Sequence, residues 1–129
     1  MALRRPNRFP GSEFSRRDRG LASRLRGIQE SLSLSQSELA NLIGVSLPTV
    51  QRWLKSETRP LLIAENRCWE IENLLKQAGE VLTPKGLRQW FHEPHPEFSG
   101  MSPILVLQTP GGIEKVLALL ASIEWGLPA

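Results

Sequence analysis

The side chains of this chain best suited to recognising a ligand are polar and basic and lie between residues 46 and 59. Arg52 can donate two parallel hydrogen bonds to a guanine, and the amide of Gln51 can pair with an adenine or reach a phosphate. Leu47 is apolar and would at most touch a thymine methyl group. The neighbouring residues suited to phosphate contacts are Ser46, Thr49, Lys55 and Arg59. These residue types and their spacing predict recognition of nucleic acid.

Two short helices joined by a tight turn must position these side chains. Ser35 and Glu38 have the spacing of a capping box, which begins the first of the two helices. Gly44 ends that helix, because glycine tolerates the left-handed conformation that a tight turn requires, and Ser46 caps the next helix. In this arrangement the second of the two helices enters the major groove. Gln36, at the start of the first, can donate to a phosphate.

Outside this unit the apolar residues recur with a helical period, and no segment alternates like a strand. A helix at 21–32 is predicted to bury its leucines and turn its arginines outward, and another runs from about 61 to 78. Three Ser/Thr-Pro pairs predict further helices near 84–91, 103–107 and 110–125, because proline suits the first helical position after a capping hydroxyl. Residues 92–100 are predicted to form a proline-rich loop without helix. We therefore expect an all-α fold, with a helix-turn-helix bundle followed by a small helical bundle.

Charge is distributed unevenly along the 129 residues. Residues 1–60 carry eleven Lys and Arg against five Asp and Glu, whereas residues 61–129 carry five against eight. Basic surface attracts phosphate backbones, so only the N-terminal half is suited to nucleic acid. Residues 1–19 hold six arginines and show no helical period. The predicted organisation is a flexible basic arm at 1–19, a DNA-binding domain at 20–60 and a second helical domain at 61–129.

Several classes of protein are excluded by what the chain lacks. It has no apolar run of membrane-spanning length and no apolar signal-peptide core, so a cytoplasmic protein is expected. His92-Glu93-Pro94-His95 is one residue short of the His-Glu-x-x-His zinc motif, and its proline breaks the required helix; we interpret it as a solvated loop. Cys68 is interpreted as a packing residue, and Gly111-Gly112 lacks the lysine of a phosphate-binding loop. We predict no catalytic residue, metal or cofactor, and no enzyme activity.

The segment from Leu25 to Pro60 resembles the Xre/Cro-type helix-turn-helix family of repressors and antitoxins. The resemblance is carried by Leu-Ser-Gln-Ser-Glu-Leu-Ala at 34–40, Ile-Gly-Val-Ser at 43–46, Thr-Val-Gln-Arg-Trp at 49–53 and Arg-Pro at 59–60. Leu47-Pro48 departs from the polar pair often found at this position, which leaves Gln51 and Arg52 with most of the base recognition. The resemblance implies a homodimer that binds a palindromic operator.

Large apolar groups stand near the end of the chain, at Trp90-Phe91 and in the sequence Trp125-Gly126-Leu127-Pro128. By themselves they indicate either a protein interface or the closing of the helical core. The stretch also resembles the toxin-binding domain of Xre/MbcA/ParS-type antitoxins over about 74–127. The matching residues are Trp90-Phe91, Pro94-His95-Pro96, Phe98-Ser99-Gly100, Pro103, Leu107, Thr109, Gly112, Val116, Leu119-Leu120 and Ile123-Glu124-Trp125-Gly126.

This second resemblance implies an antitoxin that blocks a RES-domain toxin, which consumes NAD or ADP-ribosylates a target, and that represses its own operon. The final helix and C-terminal tail would contact the toxin, and the candidate toxin-binding residues are Trp90, Trp125, Gly126 and Leu127. Two alternatives stay open. The chain could be a free-standing repressor whose C-terminal half only mediates dimerisation, or a structural adaptor whose basic arm contacts other polyanions.

Overall fold

A computed structural model describes residues 20–55 and 62–124, and these ranges contain helices and turns but no strand. The helices are α1 Leu21–Leu32, α2 Gln36–Ile43, α3 Leu47–Lys55, α4 Leu62–Ala78, α5 Pro84–His92, α6 Pro103–Val106 and α7 Gly112–Glu124. The all-α prediction is confirmed. None of the helices in these two ranges combines the length and the apolar character that a membrane span needs.

The turn between α2 and α3 forms as its sequence predicts. The amide of Glu38 donates to Ser35 Oγ at 3.1 Å and the amide of Ser35 donates to Glu38 Oε1 at 2.8 Å, which completes the capping box. Gly44 adopts φ +89°, and its amide donates to the Ala40 carbonyl at 2.8 Å. Ser46 Oγ accepts from the amide of Thr49 at 3.2 Å and so caps α3. Local chemistry therefore sets the angle at which α3 leaves the turn.

One hydrophobic core runs through both halves of the described chain. The α1 residues Leu25, Ile28 and Leu32 are fully buried in it, as are Val50 of α3 and Leu74 of α4. The same cluster continues into the C-terminal helices through Phe91, Ile104, Leu107, Val116 and Leu120. Helix α4 contacts α1, α2 and α7. The predicted division at residue 60/61 falls in 56–61, outside the described residues, and stays a prediction.

Arg24 corrects the prediction that the arginines of α1 face outward. Its side chain is 3% exposed and forms an ion pair with Glu72 of α4, which is 14% exposed. The guanidinium is bidentate, with Nη2 2.8 Å from Oε1 and Nε 3.2 Å from Oε2. Burial alone would lower the pKa of Arg24, but the hydrogen bond and charge of Glu72 outweigh it, and the pKa is raised. A charged link thus joins α1 to α4 inside the core.

A second arginine joins the two halves through main-chain carbonyls. Arg67 of α4 donates from Nε to the Leu42 carbonyl at 2.9 Å and from Nη2 to the Leu107 carbonyl at 2.6 Å. Leu42 belongs to the last turn of α2 and Leu107 follows α6 directly. Burial lowers the pKa of Arg67. The guanidinium therefore satisfies helix-end carbonyls of both halves at once, a role that sequence reasoning missed.

Two of the three predicted Ser/Thr-Pro helix starts are confirmed, and the third is wrong. Thr83 Oγ1 accepts from the amide of Gly86 at 3.0 Å, and Ser102 Oγ accepts from the amide of Leu105 at 3.4 Å. Thr109 instead donates its hydroxyl to the Val106 carbonyl at 2.6 Å, and α7 begins only at Gly112. The Thr109 hydroxyl is thus bound to the preceding helix and does not cap a helix at Pro110, and Gly112 packs so closely on Val106 that a Cβ would lie 1.9 Å from its oxygen.

The predicted loop at 92–100 contains one turn of 3-10 helix, Pro96–Phe98. The amide of Phe98 donates to the His95 carbonyl at 3.0 Å, and the amide of Ser99 donates to the Pro96 carbonyl at 3.0 Å. The expectation of no helix was therefore wrong for this turn. Pro96 stands at its first position, where a missing N–H leaves no hydrogen bond unmade.

Candidate functional site

The polar surface predicted to read nucleic acid lies on α2 and α3. Gln36 and Gln51 are both exposed, and Nε2 of Gln51 donates to Oε1 of Gln36 at 3.3 Å. The bond uses the amide oxygen of Gln36, so the amide nitrogen of the same side chain remains a hydrogen-bond donor. The structure therefore brings together the candidate phosphate ligand of α2 and a candidate base-reading residue of α3. Their hydrogen bond places the two amides side by side on the exposed surface.

The other α3 candidates divide into capping residues and exposed cations. Ser46 Oγ lies 2.8 Å from Oγ1 of Thr49, so both hydroxyls already serve the start of the helix. Arg52 and Lys55 are exposed in the last turn of α3, whereas Leu47 is half-buried. Their contacts with DNA stay predictions. Arg59 lies outside the described residues.

The opposite face of α3 is held firmly, which sequence reasoning anticipated only in part. Val50, Trp53 and Leu54 are buried, as their spacing predicts. Arg26 of α1 adds a hydrogen bond from Nη2 to the Leu54 carbonyl near the end of α3. A guanidinium at a helix C-terminus also suits the helix dipole. The polar face of α3 is thus presented by a helix anchored both by its apolar side chains and by its last turn.

Trp90, the described member of the candidate toxin-binding set, lies in the core. It is 8% exposed, its ring centroid lies 5.0 Å from that of Phe91 in an edge-to-face arrangement, and His95 lies 4.9 Å away. This position matches the alternative that the aromatic residues close the helical core. A direct contact of Trp90 with a toxin stays a prediction. Trp125, Gly126 and Leu127 lie outside the described residues.

The two histidines and the cysteine have structural contacts. Nε2 of His92 donates to the Leu32 carbonyl at the end of α1 at 2.6 Å, and Nε2 of His95 lies 3.4 Å from the Trp90 carbonyl. His92 is exposed, as predicted for a solvated loop, whereas His95 is half-buried, and both rings also contact neighbouring backbone. Cys68 is fully buried, and burial raises the pKa of its thiol to about 11. Within 20–55 and 62–124, no three His, Cys, Asp or Glu side chains form a metal-binding group.

Known proteins resemble the chain at the level of both domain and whole fold. Residues 77–126 match the family described as the antitoxin Xre/MbcA/ParS C-terminal toxin-binding domain. The mycobacterial cidal antitoxin MbcA of Mycobacterium bovis is 25% identical over 107 residues, which cover 83% of this chain and 94% of the relative. MbcA of Mycobacterium tuberculosis gives the same values.

A solved structure extends the likeness to three dimensions. The crystal structure of the M. tuberculosis MbcT–MbcA toxin–antitoxin complex contains a chain that matches with a TM-score of 0.65 and 25% identity. The match covers 84% of this chain and 97% of the other. It therefore includes helices from both halves, and not the matched C-terminal domain alone.

An all-α chain that combines a helix-turn-helix unit with a matched toxin-binding domain is an antitoxin of a toxin–antitoxin system. Its residues 77–126 match the C-terminal toxin-binding domain of the Xre/MbcA/ParS antitoxins, and the chain resembles the antitoxin MbcA over most of its length. The matched range, 77–126, falls within the stretch of about 74–127 over which the sequence resembles that family. Helix α4 precedes this range except for its last two residues, and so forms the connection between the two units.

Proposed function

We propose that this antitoxin binds and blocks a RES-domain toxin that consumes NAD or ADP-ribosylates a target, and that it represses its own operon. The carrying observation is that one continuous core supports both a matched toxin-binding domain and an exposed polar surface on α2 and α3. The proposal assigns the chain no catalytic residue, metal or cofactor. It assigns the protein to the cytoplasm, where both the operon and the toxin's targets are found.

The α2–α3 surface would bind operator DNA. In our proposal α3 enters the major groove and the N-terminus of α2 faces a phosphate, which Gln36 contacts through its amide nitrogen. The hydrogen bond between Gln36 and Gln51 lowers the entropy lost on binding, because both side chains are ordered beforehand. Arg52 would read a base, and Lys55 would neutralise a phosphate. A homodimer would present two such surfaces to a palindromic operator.

The C-terminal unit would bind the toxin. The solved relative is a complex of MbcA with the toxin MbcT, which supports a protein partner for the matched domain of this chain. Trp125, Gly126 and Leu127 remain our proposed contacts from the family resemblance. For Trp90 the buried position supports an indirect role: its ring packs against His95 and helps to hold the segment 92–100 in place.

Co-expression with the product of the neighbouring gene, which the proposal expects to be a RES-domain toxin, tests the neutralising function. We expect the antitoxin to restore growth and to co-purify with the toxin as a stable complex. As a control, the toxin is expressed with an empty vector in place of the antitoxin, which shows how strongly the toxin alone inhibits growth. If the two proteins neither associate nor restore growth while operator binding persists, the chain is instead a free-standing repressor.

Replacing Arg52 by alanine is expected to weaken operator binding by about 1–3 kcal/mol, because the variant loses a bidentate base contact. The measurement is a titration of labelled operator DNA at fixed salt, since the affinity depends strongly on ionic strength. Arg88→Ala is the matched control: it removes the same charge from an exposed position on α5. Unchanged affinity of Arg52→Ala, or an equal loss in both variants, would contradict base reading by Arg52.

A further inference from the structure

We propose that Met101 and Leu105 form part of the surface on which the toxin docks, and that apolar side chains of the toxin cover them. The inference rests on the proposed function, since it names a contact surface within the same toxin-binding domain. It concerns residues that neither the sequence pattern nor the family resemblance singled out.

Exposure distinguishes these two residues from the rest of the domain. Leu105 is 50% exposed and Met101 is 36% exposed. In the described part of the matched range, 77–124, no other large apolar side chain is exposed to this degree. Within a domain matched to toxin binding, these two side chains are the large apolar groups of the described residues that a partner can still remove from water.

Hydrogen bonds hold the main chain of both residues in place. The amide of Met101 donates to the Phe98 carbonyl at 3.0 Å, and its carbonyl accepts from the amide of His95 at 3.2 Å. Leu105 lies in α6, where Ser102 caps its amide and the adjacent Ile104 and Val106 are buried. Because the main chain is already ordered, binding at this surface costs mainly the rotamer entropy of the two side chains.

The charges beside the patch favour a toxin over a second copy of this chain. Between residues 89 and 113 the charged side chains are Glu93 and Glu97, and the stretch contains no lysine or arginine. Glu97 belongs to the 3-10 turn whose Phe98 carbonyl binds Met101. Self-association through this patch would bring like charges together, which disfavours it. The cation nearest in the structure to this stretch, Arg67, is half-buried and already bound to the Leu107 carbonyl, so we expect the complementary toxin surface to be apolar with basic groups opposite Glu93 and Glu97.

The test compares the toxin affinity of Leu105→Glu with that of Ile63→Glu, using as the toxin the purified product of the neighbouring gene that the co-expression experiment identifies. Ile63 is 78% exposed and lies outside the matched domain, so it receives the same new charge at an exposed apolar site. We expect Leu105→Glu to weaken toxin binding at least about tenfold, because it places a charge in the buried centre of the interface. Ile63→Glu should bind within about twofold of the unmodified chain.

The milder variants Leu105→Ala and Met101→Ala remove apolar contacts without adding a charge. Thermal unfolding of each protein shows whether a loss of toxin affinity comes from lost contacts or from a less stable fold. Equal toxin affinity of Leu105→Glu and the unmodified chain would overturn this inference and leave the proposed function intact. An equal loss of toxin affinity in Ile63→Glu would also overturn it. So would a Leu105→Glu variant whose oligomeric state changes while its toxin affinity does not. If the unmodified chain fails to bind the toxin, the proposed function fails, and this inference fails with it.

Discussion

Replacing Glu72 by leucine is expected to lower the free energy of unfolding by about 3–5 kcal/mol, because it leaves the charge of Arg24 buried without its partner. The Arg24 side chain is 3% exposed, so water cannot solvate the guanidinium in place of the carboxylate. The change also removes two hydrogen bonds, of 2.8 and 3.2 Å, that join α1 to α4. Urea denaturation measures the loss directly.

Two further variants test this prediction. The first controls for the loss of one charge, and the second removes both partners of the ion pair. Glu30→Leu removes the same charge from an exposed position on α1 and should change the stability by no more than about 0.5 kcal/mol. The double variant Arg24→Met with Glu72→Leu should be more stable than Glu72→Leu alone, since no buried charge remains unpaired. A loss below about 1 kcal/mol in Glu72→Leu would show that the ion pair contributes little to folding.

Replacing Gly112 by alanine is expected to lower the free energy of unfolding by roughly 3 kcal/mol, since no space exists for a methyl group. Its Cβ would lie 1.9 Å from the oxygen and 2.8 Å from the carbon of the Val106 carbonyl. These are backbone atoms that no rotamer change can move aside, so α7 must separate from the end of α6. The same carbonyl accepts the hydroxyl of Thr109, and that hydrogen bond would be strained as well.

Gly27→Ala is the matched control for this variant. Gly27 lies within α1, and a Cβ there would meet nothing within 4 Å. Alanine favours helix over glycine by roughly 0.5–1 kcal/mol, so this variant should be slightly more stable than the unmodified chain. The two Gly→Ala changes are thus expected to have opposite signs in the same urea titration. A neutral Gly112→Ala would mean that α6 and α7 do not pack as closely as described.

The helices and most of their caps could be predicted because their signals are local. Ser35 and Glu38 are three residues apart, and Gly44 needs only its own φ of +89° to end α2. The buried faces of α2 and α3 follow from apolar residues spaced by one helical turn. The start of α7 could not be predicted in this way. Thr109-Pro110 has the same local signal as Ser102-Pro103, but the Thr109 hydroxyl binds the Val106 carbonyl of the preceding helix and does not cap α7.

The candidate site residues also differ in whether local sequence predicts their positions. The exposed positions of Gln36, Gln51, Arg52 and Lys55 agree with helical spacing, because residues opposite a buried face must point outward. Trp90 had two possible places, an interface or the core, and its sequence neighbours do not distinguish them. Its contact with His95, five residues later, depends on how the segment 92–100 folds back on α5.

The sequence by itself determined the all-α class, the capped helix-turn-helix and the resemblance to an antitoxin family, because each depends on residues within one or two helical turns or on a motif. Only the tertiary structure decided which polar groups are buried as partners and which apolar groups remain exposed. Arg24 and Glu72 are 48 residues apart, and Arg67 joins carbonyls 25 and 40 residues away. Such pairs, like the exposure of Leu105, arise from how helices pack, and packing depends on the shape of the whole core rather than on any local pattern.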